Sequence, residues 1–415
     1  MSQSKPTSWI NTREIFLVAC LVFVAIGLLI YLTGHNTQSQ AVEELVQAVE
    51  SFNVPETEKA LKKVKLNEVT ELAVPRLIEL LDSNPKTVYA PTLSLAFTEL
   101  GSDSISGLVE KVQPAEETKT RTQAMYMLSK IAPGHENQQV AQALIQALND
   151  EDKNVRFSAA QAIAHIDTTK AAETLPILVE LLKDPSGSIR AESIYHIGLF
   201  GKRAEAVLPK VLLALKDPVA TVRVIAAKSI CKVGTPDKRV IDALSEMLFD
   251  ESLSCQSEAA LALGQLGSQS EPAVPAILDA LKLLNNPDRH SKRQQELTRS
   301  SMVNALGAIG SAKPEVIQTL IDTLNEKKYG ISRVAAATSL KNLGPKAIKA
   351  VPVLVKIIDE SKEELKGHSE ISPAAKLQME LQLDHRLSSE AAIALREIDL
   401  ETFERVCDES SSEAQ

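Results

Sequence analysis

Residues 174–234 decide the fold, and they read TLPILVELLKDPSGSIRAESIYHIGLFGKRAEAVLPKVLLALKDPVATVRVIAAKSICKVG. A helical pattern opening with Leu-Pro leads to Lys-Asp-Pro, and a second helical pattern then carries an Arg and ends in Gly. This order occurs twice, with Asp-Pro at 184–185 and again at 217–218. Both helical patterns place apolar residues at i, i+3, i+4 and i+7, as expected for a helix with one buried face. The stretch therefore predicts a repeated pair of helices.

The same pattern extends far beyond this stretch. Nine segments end in a short apolar residue or Pro followed by Gly or Asp, and they are spaced by 33 or 34 residues except where insertions lengthen the spacing to 43 and 55. The segments end at Gly101, Gly134, Asp167, Gly201, Gly234, Gly267, Gly310, Gly344 and Asp399. A terminal Gly suits the left-handed backbone that follows a last helical turn. We predict an all-α fold in which residues 66–400 form an α-solenoid of about nine helix pairs, wound as a right-handed superhelix.

Charged residues recur at a fixed position of the repeat. Eleven residues before the terminal Gly or Asp, five segments carry an Arg, namely Arg156, Arg190, Arg223, Arg299 and Arg333. Three of these are preceded six residues earlier by an Asp, namely Asp150, Asp184 and Asp217. We interpret this set as a structural ladder, in which each Arg donates hydrogen bonds to a turn Asp or to a carbonyl at a repeat boundary.

Three second-helix sequences identify the type of repeat. They are Asn154-VRFSAAQAIAHI-Asp167, Thr221-VRVIAAKSICKV-Gly234 and Ser257-EAALALGQL-Gly267. They resemble the short HEAT repeats of the phycobilisome-lyase type, whereas the Thr-Pro-Leu-His motif of ankyrin repeats and the Trp and Tyr of tetratricopeptide repeats are absent. The resemblance covers roughly residues 66–400 and is specific for the fold. Similar repeats occur in scaffolds, adaptor proteins, bilin lyases and deoxyhypusine hydroxylase.

The resemblance to the hydroxylase implies a test of catalysis, because its di-iron site uses His-Glu pairs that open second helices. Here the Glu stands without the His at Ala191-Glu192, Ser257-Glu258 and Ser389-Glu390. The one His-Glu pair, His135-Glu136, follows Gly134, and the seven histidines share no i, i+4 spacing. We therefore predict no catalytic residues, no metal and no cofactor, and we keep a lyase or hydroxylase as the disfavoured alternative.

Composition excludes several other functions. The formal net charge is −9, and the chain has one Trp, five Tyr and eight Phe, whereas nucleic-acid binding requires clustered Lys and Arg with stacking rings. Four cysteines without a Cys-x-x-Cys pair argue against a disulfide scaffold and a thiolate zinc site. The sequence has no Gly-rich phosphate loop and no Gly-x-Ser-x-Gly elbow, so no small-molecule substrate is evident.

Function is expected on the concave face, which the second helices of a curved stack line. Residues two, five and nine positions after the Arg position share one helical face and are mostly polar or variable. We predict that a protein partner binds there through Gln161, Tyr195, Leu199, Ile225, Lys228, Lys232 and Leu261. The alternative is that these side chains are solvated or form contacts between repeats.

The N-terminus carries the predicted membrane anchor. Residues 15–32 read IFLVACLVFVAIGLLIYL, which spans roughly 27 Å as a helix and so matches the apolar thickness of a bilayer. Lys5 and Arg13 precede the run, and neither Lys nor Arg occurs from Thr33 to Glu58. The positive-inside rule therefore places residues 1–14 in the cytoplasm and the solenoid on the non-cytoplasmic side. A cleaved signal peptide and a buried helix are the alternatives.

The remaining segments complete the predicted organisation. Residues 33–65 are expected to be a juxtamembrane linker with a short helix, and residues 401–415 an acidic disordered tail. Insertions fall at 285–298, where Lys292 and Arg293 suggest a basic docking loop, and between Asp359 and Arg386. We predict a single-pass membrane-anchored scaffold that binds protein and carries out no catalysis. A self-associating structural protein is a third hypothesis.

Overall fold

A computed structural model describes residues 38–66, 68–83, 91–131, 138–234, 237–284, 291–328, 330–366 and 383–412. Within these ranges every regular element is a helix, which confirms the predicted all-α class. None of the helices there is long and apolar enough to cross a bilayer, and the predicted span at 15–32 lies outside the described residues. Backbone contacts divide the chain into two compact units, Met1–Thr174 and Leu175–Gln415.

Unit 1 is a stack of antiparallel helices whose apolar faces form one core. Its helices are α1 (38–50), α2 (Val54–Leu66), α3 (Thr70–Ser83), α4 (Pro91–Leu100), α5 (Ser102–Lys111), α6 (Thr118–Ile131), α7 (Gln138–Ala147) and α8 (Lys153–Ile166). The start of α8 shows why a helix begins where it does, because the Asp152 carboxylate accepts a hydrogen bond of 2.8 Å from the Asn154 N–H. Helix α9 (Ala171–Leu181) crosses the boundary between the two units.

The stack begins earlier than the sequence predicts. Residues 33–65 were expected to be a juxtamembrane linker with one short helix. Residues 33–37 lie outside the described residues, and from residue 38 onward α1 and α2 both belong to the packed core of unit 1. Ala41, Val42, Leu45 and Val49 recur at helical spacing and are buried. The outer face of α1 is exposed and polar, which suits a terminal capping helix. That face consists of Ser39, Gln40, Glu43, Gln47 and Glu50.

Unit 2 continues with regular helix pairs. Its helices are α10 (Gly187–Leu199), α11 (Leu208–Ala214), α12 (Ala220–Val233), α13 (Lys238–Met247), α14 (Leu253–Gln265), α15 (Val274–Leu283), α16 (Lys292–Ile309), α17 (Pro314–Asn325), α18 (Gly330–Leu343), α19 (Val351–Lys366), α20 (Leu383–Ile398) and α21 (Leu400–Ser412). Short 3₁₀ helices at Gly201–Val207, Gly267–Ala273 and Gly344–Ala350 lead into α11, α15 and α19.

Glycine begins each of these 3₁₀ connections because the backbone there is left-handed. Gly201, Gly267 and Gly344 have φ values of 58°, 59° and 57°, which favour a residue without a Cβ. Gly234 differs from the prediction, because its φ of −163° is extended. Beyond it, Asp237 caps α13 by accepting hydrogen bonds from the Arg239 and Val240 N–H groups.

The even-numbered helices α10 to α20 are the second helices of the repeats, and they pack closely on one another. The odd-numbered helices from α11 to α19 are the first helices, and they touch one another only sparsely within the described residues. Small residues permit this close approach: a Cβ added at Gly198 would lie 2.9 Å from Ser229 Oγ, and one at Gly307 would lie 2.6 Å from Ser339 Cα. Within unit 2 the second-helix layer is therefore the compact side, as on the inner side of a curved stack.

The C-terminal segment also differs from the prediction. Residues 401–415 were expected to be disordered, but α21 covers Leu400–Ser412, and residues 413–415 lie outside the described ranges. Asp399 caps this helix by accepting a hydrogen bond of 3.1 Å from the Thr402 N–H, and Val406 is buried. The acidic composition of the segment concealed an N-cap and an apolar residue that packs.

The predicted basic docking loop is partly helical. Helix α16 has 18 residues and begins at Lys292, so the end of the insertion adds about one turn to the helix. Lys292 and Arg293 are exposed on this turn, while residues 285–290 lie outside the described ranges. Glu296 directly follows this added turn, and its carboxylate accepts a hydrogen bond of 2.7 Å from the Ile331 N–H, so the start of α16 caps α18 of the next repeat.

The close packing of second helices predicts the effect of a single methyl group. Gly307→Ala should lower the free energy of unfolding by about 1–3 kcal/mol, because the new Cβ meets the backbone of Ser339. Gly264→Ala is the matched control, because its new Cβ would lie 3.2 Å from Ala305 Cα, its nearest neighbour. The better helix propensity of Ala offsets up to about 1 kcal/mol of the stability that this milder contact costs. Urea unfolding followed by circular dichroism measures both. Equal stability of the two variants would contradict the packing described above.

Candidate protein-binding surface

The Arg ladder joins adjacent repeats in unit 2. Arg223 Nη1 donates to the carbonyl oxygen of Asp217 at 2.8 Å, in the turn of its own repeat. Its Nε and Nη2 donate to the two carboxylate oxygens of Asp250, both at 2.7 Å, in the turn of the next repeat. Arg190 has the same geometry: its Nη1 donates to the Asp184 carbonyl at 2.8 Å, and its Nε and Nη2 donate to the Asp217 carboxylate at 2.8 and 2.7 Å. Each Arg therefore fixes the position of one turn relative to the next.

The ladder Asp side chains also shape their own turns. Asp217 Oδ1 accepts a hydrogen bond of 2.8 Å from the Val219 N–H, and Asp250 Oδ1 accepts one of 2.8 Å from the Ser252 N–H. The hydrogen bond from Arg190 lowers the pKa of Asp217 below its ordinary value, although burial opposes this effect. The hydrogen bond to Asp250 likewise raises the pKa of Arg223. Both groups are therefore ionised at neutral pH.

The other predicted members of the ladder use carbonyl groups. Arg156 Nη1 donates to the carbonyl oxygen of Asp150 at 2.9 Å. Arg299 Nη2 donates to the Leu281 carbonyl at 3.5 Å, and Arg333 Nε donates to the Leu324 carbonyl at 2.7 Å. The Leu281 and Leu324 carbonyls belong to the last turns of first helices, where intrahelical donors are missing, and the Asp150 carbonyl lies in the turn after α7.

Two ladder residues escape the sequence pattern. Arg121 forms an ion pair with the Asp150 carboxylate, although it lies two residues before the regular Arg position. Gln256 occupies the Arg position in α14 and donates to the Asp250 carbonyl at 2.7 Å. A search that allowed a shifted Arg or a Gln would have found both residues.

The ladder fixes the register of the second helices, and this places the predicted partner-binding residues of unit 2 on one surface. Tyr195 on α10 is 44% exposed and Leu261 on α14 is 41% exposed. Lys228 and Lys232 on α12 are exposed, and Leu199 and Ile225 are half-buried. We call this set, Tyr195, Leu199, Ile225, Lys228, Lys232 and Leu261, the second-helix surface. The remaining predicted residue, Gln161, lies half-buried on α8 in unit 1.

Burial of the intervening residues explains why the second-helix surface is exposed. On α12, Ala226, Ala227 and Ile230 face the core. The small residues at the helix contacts are buried as well. On α12, the residues two, five and nine positions after the Arg therefore face away from the core. Ile393 is 42% exposed at the equivalent position of α20, and the sequence analysis missed it because the preceding insertion obscured the register.

An ion pair crosses the middle of the surface. Lys228 Nζ lies 3.6 Å from Glu258 Oε2, and the Glu258 side chain is only 14% exposed. Burial raises the pKa of Glu258, while Lys228 lowers it. This pair partly neutralises Lys228, whereas Lys232 has no ion-pair partner among the described residues. In the sequence, this pair corresponds to a Glu two residues after the Arg position of one repeat and a Lys five residues after the Arg position of the preceding repeat.

The chemistry of the surface favours binding. Burial, together with the charge of Glu258, raises the pKa of the Cys231 thiol to about 11, so the thiol is protonated at neutral pH. Within the described ranges, His, Cys, Asp and Glu side chains do not group in threes that could hold a metal ion. The surface offers two exposed apolar side chains and two ammonium groups, which suits contact with another protein.

One family model matches two parts of this chain. A family model described as HEAT repeats matches residues 105–198 and 208–295, which together are less than half of the chain. The match describes HEAT repeats in general and does not distinguish the phycobilisome-lyase type. None of the curated proteins matches the chain.

Solved structures share the fold at low sequence identity. The karyopherin Kap121p bound to the extreme C-terminus of the protein phosphatase Cdc14p is 14% identical, with a TM-score of 0.52, and the match covers 85% of this chain and 40% of that one. Kap121p bound to Pho4p is 14% identical, with a TM-score of 0.52, and the match covers 88% of this chain and 41% of the Kap121p chain. An engineered protein is 19% identical, and the match covers 86% of this chain and 98% of the engineered one, but its TM-score of 0.44 is too low to support an argument. This chain spans about 40% of the Kap121p chain, and the likeness shows a HEAT-type helical solenoid.

The ladder geometry predicts a large loss of stability when one carboxylate is removed. Asp217→Asn should lower the free energy of unfolding by about 3 kcal/mol at pH 7, because the Arg190 guanidinium, whose side chain is only 12% exposed, loses its counterion. Glu246→Gln is the matched control, since the exposed Lys216–Glu246 pair should contribute at most about 1 kcal/mol. Urea unfolding measures both, and similar losses for the two variants would contradict a stabilising ladder.

The same Asp predicts a dependence on pH. Because Arg190 holds the folded pKa of Asp217 below the unfolded value of about 3.9, its contribution is complete above that value and is lost as the pH falls through the folded pKa. Wild-type protein should therefore lose stability below about pH 4 more steeply than Asp217→Asn. Thermal unfolding between pH 2 and pH 7 tests this range. Parallel pH profiles for the two proteins would show that Asp217 does not contribute.

Proposed function

We propose that this protein is a scaffold that binds another protein through the second-helix surface of unit 2. The observation that carries the proposal is the exposure of Tyr195 and Leu261 on tightly packed helices, where most other apolar residues are buried or half-buried. Large apolar side chains held by a rigid framework lose little conformational freedom on binding, which makes them effective interface anchors.

The charges of the surface define the partner. Lys232 lacks an ion-pair partner among the described residues, and Lys228 is only loosely held by Glu258 at 3.6 Å. A partner segment that presents apolar side chains to Tyr195 and Leu261 and a carboxylate to Lys232 would complement the surface. Two Lys side chains beside Glu192 and Glu258 do not form the continuous basic track that a nucleic acid requires.

The comparisons support a protein as the partner. HEAT-repeat solenoids are typical of protein-interaction scaffolds, and both Kap121p structures contain a segment or partner from another protein. We do not propose a lyase or a hydroxylase, because Ala191, Ser257 and Ser389 stand where the hydroxylase has histidines. The assignment to the phycobilisome-lyase type of repeat remains our interpretation of the three second-helix sequences.

We further propose that residues 15–32 anchor the protein in a membrane as a single span. The support is the length and apolarity of this run, with Lys5 and Arg13 before it and no Lys or Arg from Thr33 to Glu58. This distribution of charge favours a cytoplasmic N-terminus and a scaffold displayed on the non-cytoplasmic side of the membrane.

The proposed interface predicts a selective loss of binding. Cross-linked co-purification from the native membrane should recover at least about tenfold less partner with Tyr195→Ala, Leu261→Ala and Lys232→Glu combined, because two anchors and one charge are lost. The control combines Leu213→Ala and Leu283→Ala, which removes two leucines of first helices that are even more exposed than Tyr195 and Leu261. The control should retain the partner.

Circular dichroism should show that both variants are folded, since all five positions are on the surface. Equal recovery of the partner with the two variants would place binding elsewhere. Recovery of further copies of this chain, and of nothing else, would instead support a self-associating structural protein.

The proposed orientation predicts accessibility to protease. Protease added to intact cells or spheroplasts should digest residues 38–412, because these residues are proposed to lie on the non-cytoplasmic side. A cytoplasmic protein should survive in the same sample, which shows that the membrane is intact. Complete protection of the solenoid would reverse the orientation inferred from Lys5 and Arg13.

A further inference from the structure

Three ion pairs show which helix ends lie together at the start of unit 1. Lys63 on α2 pairs with Glu44 on α1, and Arg76 on α3 pairs with Glu43. Lys65 on α2 pairs with Glu99 near the end of α4 at 2.6 Å. Helices α1 and α3 therefore begin, and α2 and α4 end, at the same end of unit 1. We call this end the entry end, since the chain enters the described structure there.

The entry end exposes two leucines in unit 1. Leu66, the last residue of α2, is 82% exposed, and Leu72 in the first turn of α3 is 47% exposed. The turn between them contains Glu68 at a φ of 52°, which ends α2 through a hydrogen bond of 3.2 Å from the Val69 N–H to the Val64 carbonyl. The turn thus leaves both leucines without a core to cover them.

The length of the intervening chain limits how far the entry end can lie from the membrane. The proposed span ends at Leu32 and α1 is described from residue 38, so only residues 33–37 lie between them. Even a fully extended connection of this length reaches roughly 20 Å. This step rests on the proposed anchor, and it places the entry end next to the bilayer rather than out in solution.

We propose that the entry end docks on the bilayer surface, with Leu66 and Leu72 inserted at the level of the lipid headgroups. Exposed apolar side chains beside a membrane are stabilised by entering the interface, and the aliphatic part of Lys62 can cover the same region while its ammonium group stays in water. Lys62 is exposed on α2, one turn before Leu66.

The charges of the entry end define the kind of lipid contact. Lys63, Lys65 and Arg76 each have a Glu partner within the unit, and Glu68 and Glu71 are exposed beside the leucines. These side chains therefore give no excess of positive charge to attract anionic lipids. The docking is apolar, so it should occur on zwitterionic phosphatidylcholine and persist at high salt. A second copy of the chain is a poorer occupant, because the neighbouring outer face of α1 is polar.

The single native Trp permits a direct test of this docking. Trp9 lies just before the proposed anchor, so the unmodified full-length protein reports insertion of the anchor. A second protein carries Trp9→Phe with Leu66→Trp, and a matched control carries Trp9→Phe with Phe52→Trp. Phe52 is also an exposed apolar residue of unit 1, but it lies in the loop at the opposite end of α1 and α2. All three are reconstituted into phosphatidylcholine vesicles with brominated acyl chains, which quench Trp fluorescence at short range.

Quenching of about twofold or more is expected for Trp at position 66 and for Trp9, with blue-shifted emission, since Trp favours the interface. Little quenching is expected at position 52, and added salt or phosphatidylserine should change none of these values. Quenching of Trp9 alone would overturn the docking while leaving the anchor in place. Quenching at none of the positions would overturn both the anchor and the docking. Neither result bears on partner binding in unit 2, which co-purification tests separately.

Discussion

The bidentate hydrogen bond between an Arg and the Asp of the following turn is the interaction on which the first repeats of unit 2 depend. Arg190 with Asp217, and Arg223 with Asp250, connect neighbouring repeats at an edge where each first helix has already ended. Because a planar guanidinium meets a carboxylate in only a narrow range of orientations, the pair fixes the register of one repeat on the next. Burial then makes a partner essential for each charge.

Register determines which residues can serve function. With the second helices aligned, Gly198 faces Ser229 at a boundary that the ladder holds, and Gly307 faces Ser339 at a later boundary, so the helices approach closely and their intervening apolar residues are buried. On α10, α12 and α14, the positions two, five and nine residues after the Arg position are exposed or half-buried. These positions can change from Tyr195 to Lys228 to Leu261 without disturbing the core, which is how one repeated framework carries a surface of varied chemistry.

Local periodicity made much of this arrangement predictable from the sequence. The helix pairs, the Arg positions and the outward residues all follow from spacing within one repeat. The partner of each ladder Arg was harder to predict, because the carboxylate that Arg190 binds is 27 residues later, and only the stacked repeats bring it near. The pair of helices α1 and α2 was not predicted as a repeat because α1 lacks the early Pro found in several first helices, and α2 lacks a terminal Gly.

The seventh repeat shows how the stack continues where the ladder is interrupted. The turn before α18 contains no Asp, and Arg299 donates to the Leu281 carbonyl instead. The carboxylate comes from the opposite side of the boundary, because Glu296, which follows the extra turn of α16, accepts a hydrogen bond from the Ile331 N–H at the start of α18. Ser332 Oγ also donates to the Glu296 carbonyl at 3.3 Å. An insertion that looks like a docking loop in the sequence therefore holds two repeats in register, so the close contact of Gly307 with Ser339 is preserved.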